Sequence, residues 1–264
     1  MRACAIIPAY DAEQTLAAVV REVSARFSAR ATFVIDDGSR DRTAQLAKDA
    51  GVRLLRHPEN RGKGAALRLG MMAALDAGFE VAVSVDADGQ HPAGEAHRLL
   101  DACGDREALV LGVRDLVRDG APEANQFSNG ISNFFLSKFT RRKLSDTQCG
   151  LRRYPLEKTL ALGGRDDGYA YEAEIILRAV AAGLSVVEVP VRVIYPPPHE
   201  RRTHFHNVRD PARIVARVVR TVASTARDPR PPAKVHAAFE WLEKPAKEAE
   251  RDGGDHDHAG PPPS

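Results

Sequence analysis

Short apolar runs alternate with helix-period stripes along the first hundred residues of the chain. Each apolar run predicts a strand, and the runs lie at 4–8, 32–35, 52–55 and 81–85. Apolar residues spaced three or four positions apart predict helices between them, at 15–27, 43–50 and 65–77. Strands that alternate with helices of about 10–15 residues form a mainly parallel sheet with helices on both faces, so the pattern predicts an α/β fold.

The alternation weakens after residue 110. A helix is predicted over 125–139, and four aromatic residues cluster on it: Phe127, Phe134, Phe135 and Phe139. Two interpretations stay open, because the basic residues at 141–143 suit either a core helix with a charged end or a helix lying in a membrane interface that holds a lipid phosphate. A helix over 172–182 and a strand over 185–189 follow.

The C-terminal part of the chain differs in composition. A basic amphipathic helix is predicted at about 210–226, with valines and Ile214 on one side and arginines on the other. We expect one domain over 1–230 and a tail over 231–264, in which a short helix precedes a disordered segment rich in proline and charge.

Composition and charge exclude several protein classes. The chain has 264 residues, and its net charge of +2 argues against a nucleic-acid-binding polycation. Residues 201–230 nevertheless carry eight arginines and only two aspartates, which indicates an anionic surface or ligand at that end, unless this is simply a solvated basic face. The apolar stretch 179–187 is shorter than the roughly 20 residues that a membrane span needs. Three scattered cysteines, and no secretory signal pattern, lead us to expect a cytoplasmic protein.

Polar residues end three of the predicted strands, and ligands bind such sheets beyond the carboxyl ends of the strands. Asp86 and Asp88, with Gln90 close behind, follow the fourth strand. Carboxylate and amide oxygens suit Mg²⁺ or Mn²⁺, and such ions are usually shared with substrate phosphates. A solvated acidic turn would also contain this Asp-x-Asp pattern.

A second and a third polar segment strengthen the case for a nucleotide site. Asp36 and Asp37 end the second strand, where they either accept from a base and a ribose or cap the following turn. Residues 60–65 open a helix, and we expect their free backbone amides, with Arg61 and Lys63, to favour phosphate. This is not a P-loop, because the glycine spacing differs.

Together the motifs resemble a known family. They read Pro-Ala-Tyr-Asp at 8–11, Val-Ile-Asp-Asp-Gly-Ser-Arg-Asp at 34–41, Asn-Arg-Gly-Lys-Gly-Ala-Ala-Leu at 60–67, Val-Asp-Ala-Asp-Gly-Gln-His-Pro at 85–92, Asp-Thr-Gln-Cys-Gly-Leu-Arg at 146–152 and Glu-Val-Pro-Val at 188–191. In this order, over roughly 3–210, they resemble the family 2 glycosyltransferases of the dolichol- or polyprenyl-phosphate mannosyltransferase branch. The resemblance implies a GT-A nucleotide-sugar-binding fold, Rossmann-like, with three layers and a mixed, mainly parallel sheet.

The resemblance also implies roles for individual residues. Pro8 and Tyr10 would frame the nucleotide base. The other nucleotide-sugar contacts would be Asp36, Asp37, Arg61, Lys63 and Asp86. The ligands of Mg²⁺ or Mn²⁺ would be Asp86, Asp88 and Gln90. Asp146 would be the catalytic aspartate, together with Asp88, although an Asx turn that ends a helix also explains Asp146. Contacts to the acceptor or the diphosphate are expected from Arg114, Gln148, Arg201, Arg202 and His204.

The implied activity is an inverting, metal-dependent hexosyl transfer from a GDP- or UDP-linked sugar. The preferred acceptor is a polyprenyl phosphate at the inner face of the cell membrane, with the basic helix resting on anionic lipid as a peripheral contact. Two alternatives stay open: transfer to a saccharide or lipid hydroxyl in cell-envelope biosynthesis, and a non-catalytic nucleotide-binding module. A dinucleotide oxidoreductase is disfavoured, because no Gly-x-Gly-x-x-Gly follows the first strand.

Overall fold

A seven-stranded mixed sheet lies at the centre of the protein, in a computed structural model that describes residues 1–195 together with 216, 219 and 220. Its strands are β1 (Ala3–Ala9), β2 (Thr32–Asp36), β3 (Arg53–Arg56), β4 (Val81–Ser84), β5 (Leu109–Arg114), β6 (Arg152–Pro155) and β7 (Val186–Val191). The order across the sheet is β3-β2-β1-β4-β6-β5-β7. β6 runs antiparallel to β4 and β5, and the other neighbouring pairs are parallel. The predicted mixed, mainly parallel sheet is confirmed.

Two groups of helices cover this sheet. The helices are α1 (Leu16–Phe27), α2 (Thr43–Asp49), α3 (Lys63–Asp76), α4 (Ala93–Asp101), α5 (Glu123–Thr140), α6 (Leu156–Ala161) and α7 (Ala170–Ala181). α1 contacts α2 and α4, whereas α3 contacts α6 and α7. Members of both groups also contact β1 and β4, so the sheet lies between two helical layers.

The strands β1 to β4 and the helices α1 to α3 form where the apolar pattern predicts them, with every boundary within two residues of its predicted position. Cys4, Ile6 and Ile7 of β1 are buried, as expected for a central strand covered on both faces. The stripe of α1 from Leu16 to Phe27 points into the same core, because residues three or four apart share one face of a helix.

Four elements between residues 93 and 161 were not predicted by the pattern, namely α4, β5, β6 and α6. β6 is the instructive case, because its sequence is Arg-Arg-Tyr-Pro and both arginines are fully buried. The Arg152 guanidinium donates to the carbonyls of Thr147, Cys149 and Glu172, each at 2.8 Å. Those bonds replace the hydrogen bonds that water would supply, so a charged dipeptide forms a buried strand.

α5 is turned with its polar side inward. Ser128, Asn129 and Ser132 are buried, whereas Phe127 is 73% exposed and Phe134 is 61% exposed. The interpretation of α5 as an ordinary core helix is therefore wrong, since a core helix buries its large apolar residues.

None of the described helices combines the length and the apolar character that a membrane span requires. Of the predicted basic helix at about 210–226, only residues 216, 219 and 220 are described, and these are helical and exposed. The predicted tail at 231–264 lies outside the described residues.

Candidate active site

The predicted site residues lie at one edge of the sheet. β1, β2 and β4 are parallel, so Tyr10, Asp36 and Asp86 follow strand ends on the same side. β6 runs opposite to both of its neighbours, which gives β5 the direction of β4 and brings Arg114 to that edge as well. The predicted convergence of strand ends is confirmed. Pro8 lies within β1 itself, where it is paired with Ile35 of β2.

The Asp86 carboxylate is held in place by contacts with Lys63 and Gly150. Lys63 Nζ lies 2.7 Å from Asp86 Oδ1, and the other carboxylate oxygen packs against Gly150 so closely that a Cβ added there would overlap it. Burial alone would raise the pKa of Asp86, but the charge of Lys63 lowers it. Asp86 is therefore ionised at neutral pH and faces a cation.

Lys63 forms its ion pairs with Asp86 and Glu172, so it leaves the negative charge of Asp88 without a partner from this lysine. Asp88 is exposed at the rim of the site, and its Oδ1 accepts a hydrogen bond from the Gln90 backbone N–H at 2.9 Å. The surrounding protein walls and the neighbouring Asp86 carboxylate raise the pKa of Asp88 to about 6. A raised carboxylate pKa marks a site where an added positive charge is favourable.

The oxygen donors present here fit a hard divalent cation. Among the described residues, no group of three or more His, Cys, Asp or Glu side chains is placed to hold a metal. A cation would therefore depend on Asp86, Asp88 and the Gln90 side-chain amide, with its remaining positions filled from outside the protein. That partial set suits Mg²⁺, which commonly takes one or two carboxylates and completes its shell with water and substrate phosphates.

The carboxylates of Asp36 and Asp37 form ion pairs and hydrogen bonds with neighbouring residues of the site. Asp36 is buried, pairs with Arg56 Nε at 2.8 Å and accepts from the Ser39 amide. Asp37 lies 2.6 Å from the His57 ring and accepts from the amides of residues 61 and 62. Both carboxylates thus shape the walls of the cleft, and their contact with a base or ribose stays a prediction.

Three of the amides that we expected to be free at the start of α3 are occupied. The amides of Arg61 and Gly62 donate to Asp37, and the amide of Ala65 donates to the Asp167 carbonyl at 3.1 Å. A phosphate would find these donors occupied, because each amide carries a single N–H. Cationic help at this end would come from side chains, since Arg61 is exposed and Lys63 faces Asp86.

Arg114 and Asp146 form a nearly buried ion pair beside the metal-type residues. Arg114 Nε and Nη2 lie 2.7 and 3.0 Å from the two oxygens of Asp146, which also accept from the amides of Arg114 and Gln148. Burial alone would raise the pKa of Asp146, but the Arg114 charge lowers it. Asp146 is an ionised residue that orients Arg114, and a direct catalytic contact by Asp146 stays a prediction. The Gln148 side chain donates to Ser128 of α5.

A cavity of about 580 Å³ opens between the end of β5 and α5. Its polar lining includes Arg114, Gln126, Asn129 and Asn133. The Asn129 side-chain oxygen is buried without a hydrogen-bond partner. The cavity is suited to hold a polar ligand next to the Arg114–Asp146 pair, because its lining combines the Arg114 cation with amide side chains.

Two residues of the site were missed by sequence analysis. Glu172 of α7 is nearly buried and lies 3.2 Å from Lys63 Nζ, and Gly150 makes room for the Asp86 carboxylate. The signal for Glu172 was available, since it is one of two carboxylates at the start of a mainly apolar helical run. The predicted contacts Arg201, Arg202 and His204 lie outside the described residues.

The model of the family described as "Glycosyl transferase family 2" matches residues 4–159, which is more than half of the chain. The chain belongs to this family. The match spans β1 to α6 and so includes the Asp86–Asp88 pair, Arg114 and Asp146. The protein is therefore a glycosyltransferase, and the predicted reaction class is confirmed.

Two curated relatives of this family 2 protein are named as transferases that act on a polyprenol or dolichyl phosphate. The polyprenol monophosphomannose synthase of Mycolicibacterium smegmatis is 31% identical over 207 residues, covering 72% of this chain and 76% of the relative. The UDP-N-acetylglucosamine–dolichyl-phosphate N-acetylglucosaminyltransferase of Methanococcus voltae is 26% identical over 215 residues, covering 72% of this chain and 84% of the relative. These names support the predicted branch of lipid-phosphate sugar transferases.

A solved structure supports the fold. Glucosyl-3-phosphoglycerate synthase from Mycobacterium tuberculosis, crystallised with Mn²⁺, UDP and glucosyl-3-phosphoglycerate, matches with a TM-score of 0.63 and 18% identity. The match covers 84% of this chain and 78% of that one. The three-layer GT-A-like architecture expected from the sequence is confirmed.

Proposed function

We propose that this family 2 glycosyltransferase moves a hexose, with inversion, from a GDP- or UDP-linked sugar to a polyprenyl phosphate at the inner membrane face. The Arg114–Asp146 pair is the observation that carries the choice of acceptor. A hydroxyl acceptor needs a general base, whereas a phosphate is already an anionic nucleophile and needs mainly positioning. Asp146 is engaged by four hydrogen-bond donors, which suits positioning of Arg114 rather than proton abstraction.

The proposed binding of the sugar donor is supported by the acidic residues that follow β4. A divalent ion held by Asp86, Asp88 and Gln90 would stabilise the negative charge of the departing diphosphate as a Lewis acid. Lys63 places a second cation at Asp86, and Arg114 places a third beyond it. These cations would orient the diphosphate and the acceptor phosphate on opposite sides of the sugar, as a single displacement requires.

The acceptor side rests on α5. We define the aromatic face of α5 as Phe127 and Phe134, which lie two helical turns apart and are both exposed. The basic residues at 141–143 directly follow α5 and are exposed too. An exposed aromatic face next to clustered cations suits docking on an anionic bilayer. The acceptor cavity is lined from the same helix, so a docked α5 would place the cavity at the level of the lipid headgroups.

The decisive experiment supplies labelled GDP-mannose or UDP-glucose with Mn²⁺ and vesicles that contain undecaprenyl phosphate. We expect label in the lipid fraction, and we expect the paired substitutions Phe127→Ser and Phe134→Ser to reduce this transfer and vesicle binding together. Asp49→Asn, on the exposed end of α2, is the matched surface control. A product that forms only without the lipid would overturn the lipid acceptor, and donor binding without any transfer would indicate a non-catalytic module.

A second acceptor class is favoured by one observation. The cavity is lined by three uncharged amide side chains, those of Gln126, Asn129 and Asn133, and amides can both donate to and accept from a hydroxyl. A saccharide or polyol acceptor would therefore fit this part of the cavity. Competition by methyl glycosides against lipid transfer separates the two classes: inhibition weakened by Asn129→Leu would support a hydroxyl subsite, and no inhibition would exclude it.

A further inference from the structure

Four charged side chains form a chain through the centre of the candidate site. The Lys63 ammonium lies between Asp86 and Glu172, at 2.7 and 3.2 Å from the nearest carboxylate oxygens. Glu172 in turn lies 3.6 Å from Arg152 Nε. The Lys63 side chain is only 13% exposed, so these interactions are weakly screened by solvent.

The backbone brings Lys63 and Glu172 together by close packing. α3 begins at Lys63, and a Cβ added at the adjacent Gly62 or Gly64 would overlap carbonyl oxygens of the segment 166–168. That segment leads directly into α7, which carries Glu172. The position of Lys63 is therefore fixed by the fold, and the pairing is no chance contact of a mobile surface lysine.

Lys63 occupies one of the two carboxylate oxygens with which Asp86 could bind a metal. It binds Oδ1 at 2.7 Å, and both oxygens lie close to Gly150, with Oδ2 the closer of the two. The Lys63 ammonium lies against two carboxylates, those of Asp86 and Glu172, and so is held in place as a cation. A divalent ion at Asp86 must therefore share this carboxylate with a resident cation.

We propose that Lys63 competes with the divalent metal for Asp86, and that Glu172 is a positioning residue that weakens the competition by holding the other side of the ammonium. When the metal binds, Lys63 shifts its hydrogen bond from Asp86 to Glu172 Oε2, the oxygen that it already faces at 3.2 Å, while Glu172 Oε1 stays against Arg152. The shift needs no loss of charge pairing, because Glu172 already contacts Lys63. This inference rests on the proposed metal site.

The test measures Mn²⁺ binding to the nucleotide-free full chain by water-proton relaxation. We expect Lys63→Met to bind Mn²⁺ roughly tenfold more tightly, since an opposite charge within about 4–6 Å changes a carboxylate equilibrium by at least that factor. We expect Glu172→Gln to bind Mn²⁺ several-fold more weakly, because Lys63 then pairs with Asp86 alone. Should Lys63→Met fail to fold, the isosteric Glu172→Gln still tests the inference.

A double variant tests whether Glu172 affects Mn²⁺ binding by positioning Lys63 or through its own negative charge. In Lys63→Met, the added Glu172→Gln substitution should have no further effect on Mn²⁺ affinity, because Glu172 acts through Lys63. Glu174→Gln is the matched control, since Glu174 is equally buried on α7 but binds Arg178 and the amides of residues 165 and 166. An unchanged affinity in Lys63→Met, or a full Glu172→Gln effect in the double variant, would overturn this inference alone. Mn²⁺ affinity unaffected by Asp86→Ala would overturn the proposed metal site with it.

Discussion

Arg114 and Asp146 form a two-point ion pair that joins the end of β5 to the loop after α5. The backbone amide of Arg114 donates to the same carboxylate at 3.1 Å, so both the chain and the guanidinium are fixed by one side chain. A bidentate pair of this kind fixes orientation as well as charge. Asp146 therefore determines where the Arg114 cation points within the site.

Asp146→Asn tests this positioning role. The variant keeps the size of the side chain but loses the charge that aligns Arg114, so we expect turnover to fall by roughly 10²-fold with a smaller change in donor KM. Steady-state kinetics with varied donor concentration measure the two effects separately. In the Arg114→Met background, Asp146→Asn should cost little more, because the two residues act as a unit. Unchanged turnover in the single variant would remove Asp146 from the mechanism.

The same ion pair predicts how stability depends on pH. Arg114 lowers the pKa of Asp146 in the folded protein below its value in the unfolded chain. As the pH falls below about 4, the unfolded state takes up the proton first, and the stabilisation is lost as pH falls through the folded pKa. We expect Asp146→Asn to lower the free energy of unfolding by about 3 kcal/mol at pH 7, with the difference from wild type shrinking below pH 4.

Urea unfolding at a series of pH values measures this difference. Asp101→Asn, at the exposed end of α4, is the matched control and should change the free energy of unfolding by less than about 0.5 kcal/mol at any pH. A gap between wild type and Asp146→Asn that stays constant from pH 7 to pH 3 would contradict the assignment.

Sequence analysis located the site because its residues are tied to strand ends. Asp36, Asp86 and the polar residues after β1 follow apolar runs, and the parallel arrangement then determines that they lie at one edge. The pattern predicted those elements because they are buried through apolar residues that recur at the strand and helix periods.

The partners of the site residues could not be predicted in the same way. Asp86 pairs with Lys63 and Glu172 lies beyond it, although these residues are far apart in the chain and come from three elements. β6 was missed because hydrogen bonds from Arg152 to carbonyls, rather than apolar residues, allow its burial. The outward turn of Phe127 likewise depends on what packs against α5, which periodicity does not specify.

Asp88→Ala tests the metal-binding end of the cleft. Asp88 is exposed and its side chain accepts one backbone hydrogen bond, so we expect the free energy of unfolding to change by less than about 1 kcal/mol. Metal-dependent transfer should nevertheless be abolished, because Asp86 is already shared with Lys63. Transfer assays over a Mn²⁺ titration, alongside thermal unfolding, distinguish the two effects. Asp49→Ala is the exposed control, and full transfer by Asp88→Ala in excess EDTA would exclude a metal-dependent mechanism.

Gly150→Ala tests whether the position of Asp86 depends on the loop after α5. A Cβ at residue 150 would overlap the Asp86 carboxylate, so this carboxylate must leave the position in which it pairs with Lys63. We expect transfer to fall by about 10²-fold, since a displacement of about 1 Å is enough for such a loss, and stability to fall by roughly 1–3 kcal/mol from overpacking. Gly94→Ala in α4 is the matched control, because nothing lies within 4 Å of an added Cβ there. It should retain full transfer and gain up to about 1 kcal/mol of stability from helix propensity. If Gly150→Ala transferred sugar as fast as Gly94→Ala, the Asp86 carboxylate would have no fixed place in the reaction.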